Sequence, residues 1–206
     1  MKMKKIGAHN TMTYLEPTKW WGKLVKWFYR CQKLSLIEQL KGGLRVFDLR
    51  TRQNKEGNWI FAHGLVEFKG LNLFEALLIL NTYKCKVRLI WEVNRDTNAQ
   101  EIKAFWELCE YIRKKYPNIT FFEGRRKWDW RMIYNFFRED GNPDGQPEGS
   151  LTTDQFVGSM ESAFIGQVCP ELWTWLNRKK TRKMAEESTA EIVLLDFIKD
   201  GEFSKK

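Results

Sequence analysis

Histidine, cysteine and proline are scarce in this chain, with two, four and five residues among 206. The cysteines (Cys31, Cys85, Cys109 and Cys169) are widely spaced and form no CxxC pair, in a chain well above the size that needs covalent staples. A disulfide framework is therefore not expected, and the four read as reduced packing residues. No apolar run approaches the ~18 residues that a membrane span requires, and the N-terminus lacks the apolar stretch and small-residue cleavage site of a secretory leader. A cytosolic protein is expected. Neither GxGxxG nor a Walker motif occurs, which argues against a dinucleotide fold or a phosphate-binding P-loop. No internal repeat is present.

What the chain has in excess is positive charge and tryptophan. Thirty-five lysines and arginines against 26 acidic residues give a net charge of +9, which points to an anionic partner: nucleic acid, a membrane surface or a phosphorylated substrate. Several of the ten tryptophans lie beside lysine or arginine, a pairing suited to a membrane interface as well as to base stacking. With 43% hydrophobic residues the chain can bury a sizeable core, and a single domain over residues 1–206 is expected. No feature of the sequence sets the oligomeric state.

Strand-like runs alternate with amphipathic stretches. Strands are expected at 3–9, 44–51, 58–63, 87–94, 118–124 and 191–198, and helices at 18–30, 34–42, 72–84, 98–115, 128–138 and 170–187. Several of the strand runs are continuously apolar, as strands covered on both faces are, so the sheet should be parallel. His9, Asp48, Arg50, His63, Glu92, Glu123 and Asp196 all fall at or near the C-terminal ends of different expected strands, where a β/α barrel gathers its site. A doubly wound sheet would instead concentrate its ligands at one switch point. The expected fold is thus an α/β, TIM-type barrel, distorted or trimmed because 206 residues is short for one. Residues 139–149 are turn-forming and polar, and 151–168 give no clean period, so the sixth and seventh barrel strands lie hereabouts or are missing.

Two histidines at strand ends suggest a general base and a general acid, because imidazole exchanges a proton near neutral pH. Asp196 lies inside the apolar run Val193-Leu194-Leu195-Asp196-Phe197-Ile198, where an unpaired carboxylate would be costly. Asp48-Leu49-Arg50 would suit a strand-end ion pair as well as a site. Taken together, Gly7-Ala8-His9-Asn10-Thr11, Ser35 to Leu40, Gly43 to Arg50 and Phe61-Ala62-His63-Gly64-Leu65 resemble the catalytic X region of phosphatidylinositol-specific phospholipases C. The resemblance covers roughly residues 4–95 and the aspartate block of the last strand, and the middle third matches poorly.

That resemblance implies a distorted β/α barrel that cleaves a phosphodiester in two proton transfers. His9 would take the proton of a substrate hydroxyl that attacks phosphorus, His63 would protonate the departing oxygen, Asp196 would orient His9, and Arg50 would face the phosphate. The implied substrate is a glycerophospholipid or related phosphodiester. Asn10, Asp48 and Glu92 match positions where calcium-dependent members place metal ligands, and Ca²⁺ is the alternative to a cofactor-free site. Arg50 stands where a further acidic ligand would be, and a guanidinium cannot share that space, so the expectation is metal-free chemistry. Arg125 and Arg126, after an expected strand, could meet a phosphorylated headgroup or form a solvated basic turn. In the 18–30 helix, Trp20, Trp21 and Trp27 share an arc opposite a cluster of lysines, which fits peripheral contact with an anionic membrane or docking on the barrel. Nucleic acid is the less favoured partner. The rivals are a silent phosphoinositide- or nucleic-acid-binding module and a metal-dependent glycerophosphodiester phosphodiesterase, the latter disfavoured by the missing His-Arg-Gly opening.

Overall fold

A computed structural model describes residues 5–92, 98–121, 133–135, 153–158, 165 and 169–202. Ten strands are found among them: β1 (Lys5–Ala8), β2 (Glu16–Pro17), β3 (Val46–Gln53), β4 (Trp59–His63), β5 (Val66–Lys69), β6 (Lys86–Glu92), β7 (Thr120–Phe121), β8 (Ile133–Asn135), β9 (Thr153–Phe156) and β10 (Ile192–Leu195). The helices are α1 (Trp20–Leu24), α2 (Lys26–Tyr29), α3 (Leu36–Lys41), α4 (Leu73–Thr82), α5 (Ala99–Lys115) and α6 (Pro170–Glu187), with a 3-10 turn at Thr11–Tyr14.

Six strands form a parallel arc in the order β9-β10-β1-β3-β6-β7. Each pairs with its neighbour in chain order, and the last strand pairs with the first, Lys5 opposite Ile192 through Ala8 opposite Leu195. Such single winding is the path of a β/α barrel and not of a doubly wound sheet, whose order reverses at a switch point. The arc is open between β7 and β9 among the described residues. One of the two strands expected in the weak stretch is β9, parallel to β10. Two differences from the expected elements are local. β8 is a strand antiparallel to β6 where a helix over 128–138 was expected, and β5 forms a hairpin with β4 that the short run 66–69 did not announce. A three- or four-residue strand is fixed by its ladder partner more than by its own pattern.

Helix starts follow side-chain chemistry. Ser35 and Glu38, Asn72 and Glu75, and Asn98 and Glu101 form reciprocal capping boxes at α3, α4 and α5, each satisfying two orphan N–H groups. Proline opens α6, where its missing N–H costs nothing. The single helix expected over 18–30 is instead two short ones broken at Val25 (φ −107°, ψ 22°). Gly22 lies so close to Pro17 that a Cβ would stand 2.6 Å from the proline Cβ, pinning the segment against β2 and bending the chain away from one continuous axis.

The two-residue period of the parallel strands divides the interior from the shell. Phe47 and Leu49 of β3 and Val87 and Leu89 of β6 pack outward with Leu73, Leu77, Leu80, Phe105 and Ile112 in the main core. The opposite face carries a small apolar layer of Val46, Ile192 and Leu194. Gly7 belongs to that layer: a Cβ there would meet Val46 at 2.7 Å and Leu194 at 2.9 Å, so only glycine lets β1 pass between β3 and β10. Two residues further along the same faces are His9, Asp48, Arg88 and Asp196.

Candidate active site

That second interior layer is polar and buried. His9, Asn10, Asp48, Arg50, Arg88, Glu92, Gln155 and Asp196 are all at most 5% exposed, a density of charge that folding tolerates only when each group is paired. Asp48 is the hub. Its Oδ1 accepts from Arg88 Nε at 2.7 Å, and its Oδ2 accepts from Arg50 Nε at 3.3 Å and from the Asn10 backbone N–H at 2.9 Å. Burial by itself would raise its pKa, but Arg88, Arg50 and His9 together outweigh burial and hold the carboxyl well below the usual carboxylate range. Arg50, pushed the other way by Asp48 and Glu92 against its own desolvation, is a permanent cation.

The His9 ring is fixed at both nitrogens. Nδ1 is 2.8 Å from Asp196 Oδ1, and Nε2 is 2.8 Å from Arg50 Nη2. A guanidinium can only donate, so Nε2 is the accepting nitrogen and the proton sits on Nδ1, where it donates to Asp196. This tautomer leaves the Nε2 lone pair available as a base once Arg50 turns to another acceptor. Asp196 also accepts from the Gly158 backbone N–H at 3.4 Å. Gln32 ties the strand ends together, donating to the carbonyls of His9 at 2.9 Å and Leu195 at 2.8 Å.

His63 ends β4, half-buried, and its Nδ1–H donates to the Tyr29 carbonyl at 2.8 Å, leaving Nε2 as the free end of the ring. Its pKa is lowered by burial first; the Glu92 carboxylate, the next largest influence, pulls it back up, and the charge of Arg50 adds to the lowering. The next residue connects it to the cluster, because the Gly64 backbone N–H donates to Glu92, whose other oxygen accepts from Arg50 Nη1 at 3.2 Å. Asn10 takes a left-handed backbone (φ 45°), which asparagine tolerates, and its buried side-chain Nδ2 has no acceptor among the described residues.

The structure thus brings together six of the residues singled out in the sequence, His9, Asn10, Arg50, Asp48, Glu92 and Asp196, with His63 beside them. Glu123, Arg125 and Arg126 lie outside the described residues. The tryptophans divide: Trp20 and Trp27 are 74% and 49% exposed, while Trp21 packs against the core and lines a cavity. Trp21 therefore does not share the outward face expected of it: it stands about 100° round α1 from Trp20, on the flank that meets the core. The outward apolar face is Trp20, Leu24, Trp27 and Phe28. Sequence reasoning missed Arg88, which meets Asp48 across the β3–β6 register, and the Tyr29 carbonyl. A signal for Arg88 existed: an arginine at an inward position of the apolar run Val87 to Trp91, with Glu92 two positions past Ile90 on the same face.

The three calcium-ligand candidates do not form an open oxygen cage. Arg50 stands between Asp48 and Glu92 within 3.3 Å of each, and Arg88 takes the other Asp48 oxygen, so a divalent cation would have to displace a buried guanidinium. Toward the C-terminal end of β3, a cavity of about 410 Å³ is lined by Lys19, Trp21, Arg52, Lys55, Glu67 and Trp91. Arg52, on the same strand face as Arg50, pairs there with Glu67 at 3.3 Å.

No protein-family model and no curated protein matches this chain. Solved structures do. Phosphatidylinositol-specific phospholipase C from Listeria monocytogenes superposes with a TM-score of 0.57 at 14% identity, over 97% of this chain and 89% of that one. The Staphylococcus aureus phosphatidylinositol-specific phospholipase C, in a structure concerned with its membrane binding, gives a TM-score of 0.58 at 13% identity over 95% and 86%. A double mutant of the S. aureus enzyme gives 0.57 at 14%. The chain therefore has the TIM-type barrel fold of the bacterial phosphatidylinositol-specific phospholipases C, over nearly its whole length.

Proposed function

We propose that the chain is a phosphodiesterase of the phosphatidylinositol-specific phospholipase C type, acting on a glycerophospholipid or related phosphodiester without a metal. The observation that carries this reading is the buried Asp196–His9–Arg50 line, in which one imidazole nitrogen is held by a carboxylate and the other, with its lone pair, touches a fixed cation. A phosphodiester anion entering this site would draw Arg50 onto its own oxygens and free His9 Nε2 for a substrate hydroxyl. His9 then takes that proton as the oxygen attacks phosphorus, and Asp196 stabilises the imidazolium that forms. The buried Asn10 Nδ2 is a ready donor to a phosphate oxygen.

In this reading His63 Nε2 carries the proton to the departing oxygen. The free site disfavours its charged form despite Glu92, and Asn10 brings no counter-charge, so the phosphodiester's own negative charge adds what is missing on binding. Proton delivery is thereby coupled to an occupied site. The cavity beside Arg52 has the size of a headgroup pocket, and Lys19, Arg52 and Lys55 against Glu67 and Glu101 leave its lining net positive, which suits an anionic headgroup. Trp20, Leu24, Trp27 and Phe28, with Lys19, Lys23 and Lys26 close by, would seat the enzyme on an anionic membrane surface. The exposed apolar face next to basic side chains supports that peripheral location, and no described helix is long and apolar enough to cross a membrane.

Phosphorus NMR of a panel of phosphodiesters incubated with the chain in EDTA tests this. A cyclic phosphate product from a substrate with a neighbouring hydroxyl, formed at full rate in chelator, is expected. Loss of turnover in EDTA with recovery by calcium would transfer Asp48, Glu92 and Asn10 to a metal role, and saturable binding without any product would make the chain a binding module.

A further inference from the structure

Behind the His9–Asp196 pair stands a group that the proposed reaction does not use. Cys31 is 2% exposed, and its Sγ, a His9 ring nitrogen and an Asp196 carboxylate oxygen all lie within 4.8 Å of one another; Nδ1 is the ring nitrogen against Asp196, at 2.8 Å. The three come from separate segments, and backbone hydrogen bonds lock the segments together. Cys31 and Gln32 N–H groups donate to Thr13 Oγ1 at 2.9 and 3.0 Å, and Phe197 N–H donates to the Cys31 carbonyl at 2.7 Å. Gln32 in turn holds both strand ends and accepts from the Ile198 N–H at 3.2 Å. The trio is thus held in place from three sides, close enough for a cation to draw its donors together.

We propose that His9, Cys31 and Asp196 form a binding site for a thiophilic divalent cation of the zinc type, and that loading it removes His9 as a base. One imidazole nitrogen, one sulfur and one carboxylate oxygen are a borderline-soft donor set, suited to zinc and poor for calcium or magnesium. Three protein ligands with a fourth position left for water is the open form of such a site. Bonds of about 2.0–2.3 Å place tetrahedral donors roughly 3.3–3.8 Å apart. Any pair near the 4.8 Å bound must therefore close by up to about 1 Å, and the 2.8 Å His9–Asp196 pair must open by about 0.5 Å. The Cys31 thiol loses its proton to solvent, and the single ring proton of His9 moves from Nδ1 to Nε2. A doubly charged cation with one thiolate and one carboxylate is neutral overall, the charge state that burial penalises least. The Nε2–H now points donor-to-donor at Arg50, which must swing away, and the lone pair that the proposed base needs is gone.

The site itself rests on geometry and not on the proposed reaction, so cobalt reports it without substrate. Cobalt(II) titrated into the untagged chain, stripped of metal and carrying Cys169→Ala to remove the half-buried thiol, should bind one equivalent and show a thiolate-to-cobalt charge-transfer band in the near ultraviolet. Zinc should displace it. Cys31→Ala should abolish the band while the melting curve stays cooperative, and Cys31→Ser, nearer in size, replaces it if alanine unfolds the chain. On a phosphodiester that the chain turns over, zinc should inhibit at least 10-fold more weakly in that variant than in its parent. Absence of the charge-transfer band, or its survival without Cys31, would overturn the site. A band with zinc-insensitive turnover would keep the site and overturn its effect on His9.

Discussion

Arg50→Ala separates the structural and chemical roles of the buried charge cluster. The guanidinium is 3% exposed and donates to Asp48 at 3.3 Å, Glu92 at 3.2 Å and His9 Nε2 at 2.8 Å. Without it Asp48 keeps Arg88 at 2.7 Å and the Asn10 N–H at 2.9 Å, but Glu92 is left with the Gly64 N–H among the described residues. Stranding one buried carboxylate costs about 3–5 kcal/mol. At roughly 2–4 °C per kcal/mol for a chain of this size, the melting midpoint should fall by about 6–20 °C. Turnover should fall by about 10²–10³, the effect of losing one preorganised donor to a transition-state oxygen. Adding Glu92→Gln removes the stranded charge, so the double variant should recover much of the midpoint and none of the rate. Thermal melts beside turnover at saturating substrate measure both. A double variant as unstable as the single one, or a single variant that keeps its midpoint and its rate, would refute the assigned network.

Trp20→Ala with Trp27→Ala should weaken binding to anionic vesicles, a binding that itself falls with salt, without moving the melting midpoint. Trp21→Ala should instead destabilise the chain by about 2–3 kcal/mol, below the cost for a fully buried tryptophan, and equal loss of vesicle binding in a stable Trp21 variant would contradict its inward placement. Because the folded His63 pKa lies below its ordinary 6.5, the unfolded chain binds the extra proton between the two values, and stability should decline as pH falls below about 6.5. Urea melts of wild type and His63→Gln at about pH 7.5 and 5.5 bracket that window. An unchanged pH slope in the variant would show that another group is responsible.

Much of this arrangement was legible in the sequence because charged residues inside apolar strands are hard to explain in any other way. Asp48, Arg50 and Asp196 each interrupt a run that should be buried, and each does face the barrel interior with a partner. The strand ends carrying His9, His63 and Glu92 were placed to within a residue or two, since long periodic runs and capping boxes fix the elements around them. What failed was short or set by distant contacts. The β4–β5 hairpin depends on pairing between Ala62 and Glu67, and β8 on pairing with β6, which no local pattern reveals. Trp21 was misplaced for a simpler reason: Trp20 and Trp27 lie within about 20° on a helical wheel and Trp21 about 100° away, so the three do not share one face. Cys31 read as a packing residue; only the return of β10 beside β1 brings it to His9 and Asp196.

In the proposed reaction His9 takes the first proton and His63 gives the second. Steady-state turnover of wild type, His9→Ala and His63→Ala should be compared on two phosphodiesters with the same hydroxyl-bearing headgroup, one with an alcohol leaving group and one with an acidic phenol. Loss of His9 should lower turnover by about 10² or more on both, because the attacking hydroxyl is the same. Loss of His63 should cost that much on the alcohol and little on the phenol, which departs without a proton. Equal losses on both substrates in the His63 variant, or near-normal turnover of the alcohol ester in either variant, would contradict the assignment.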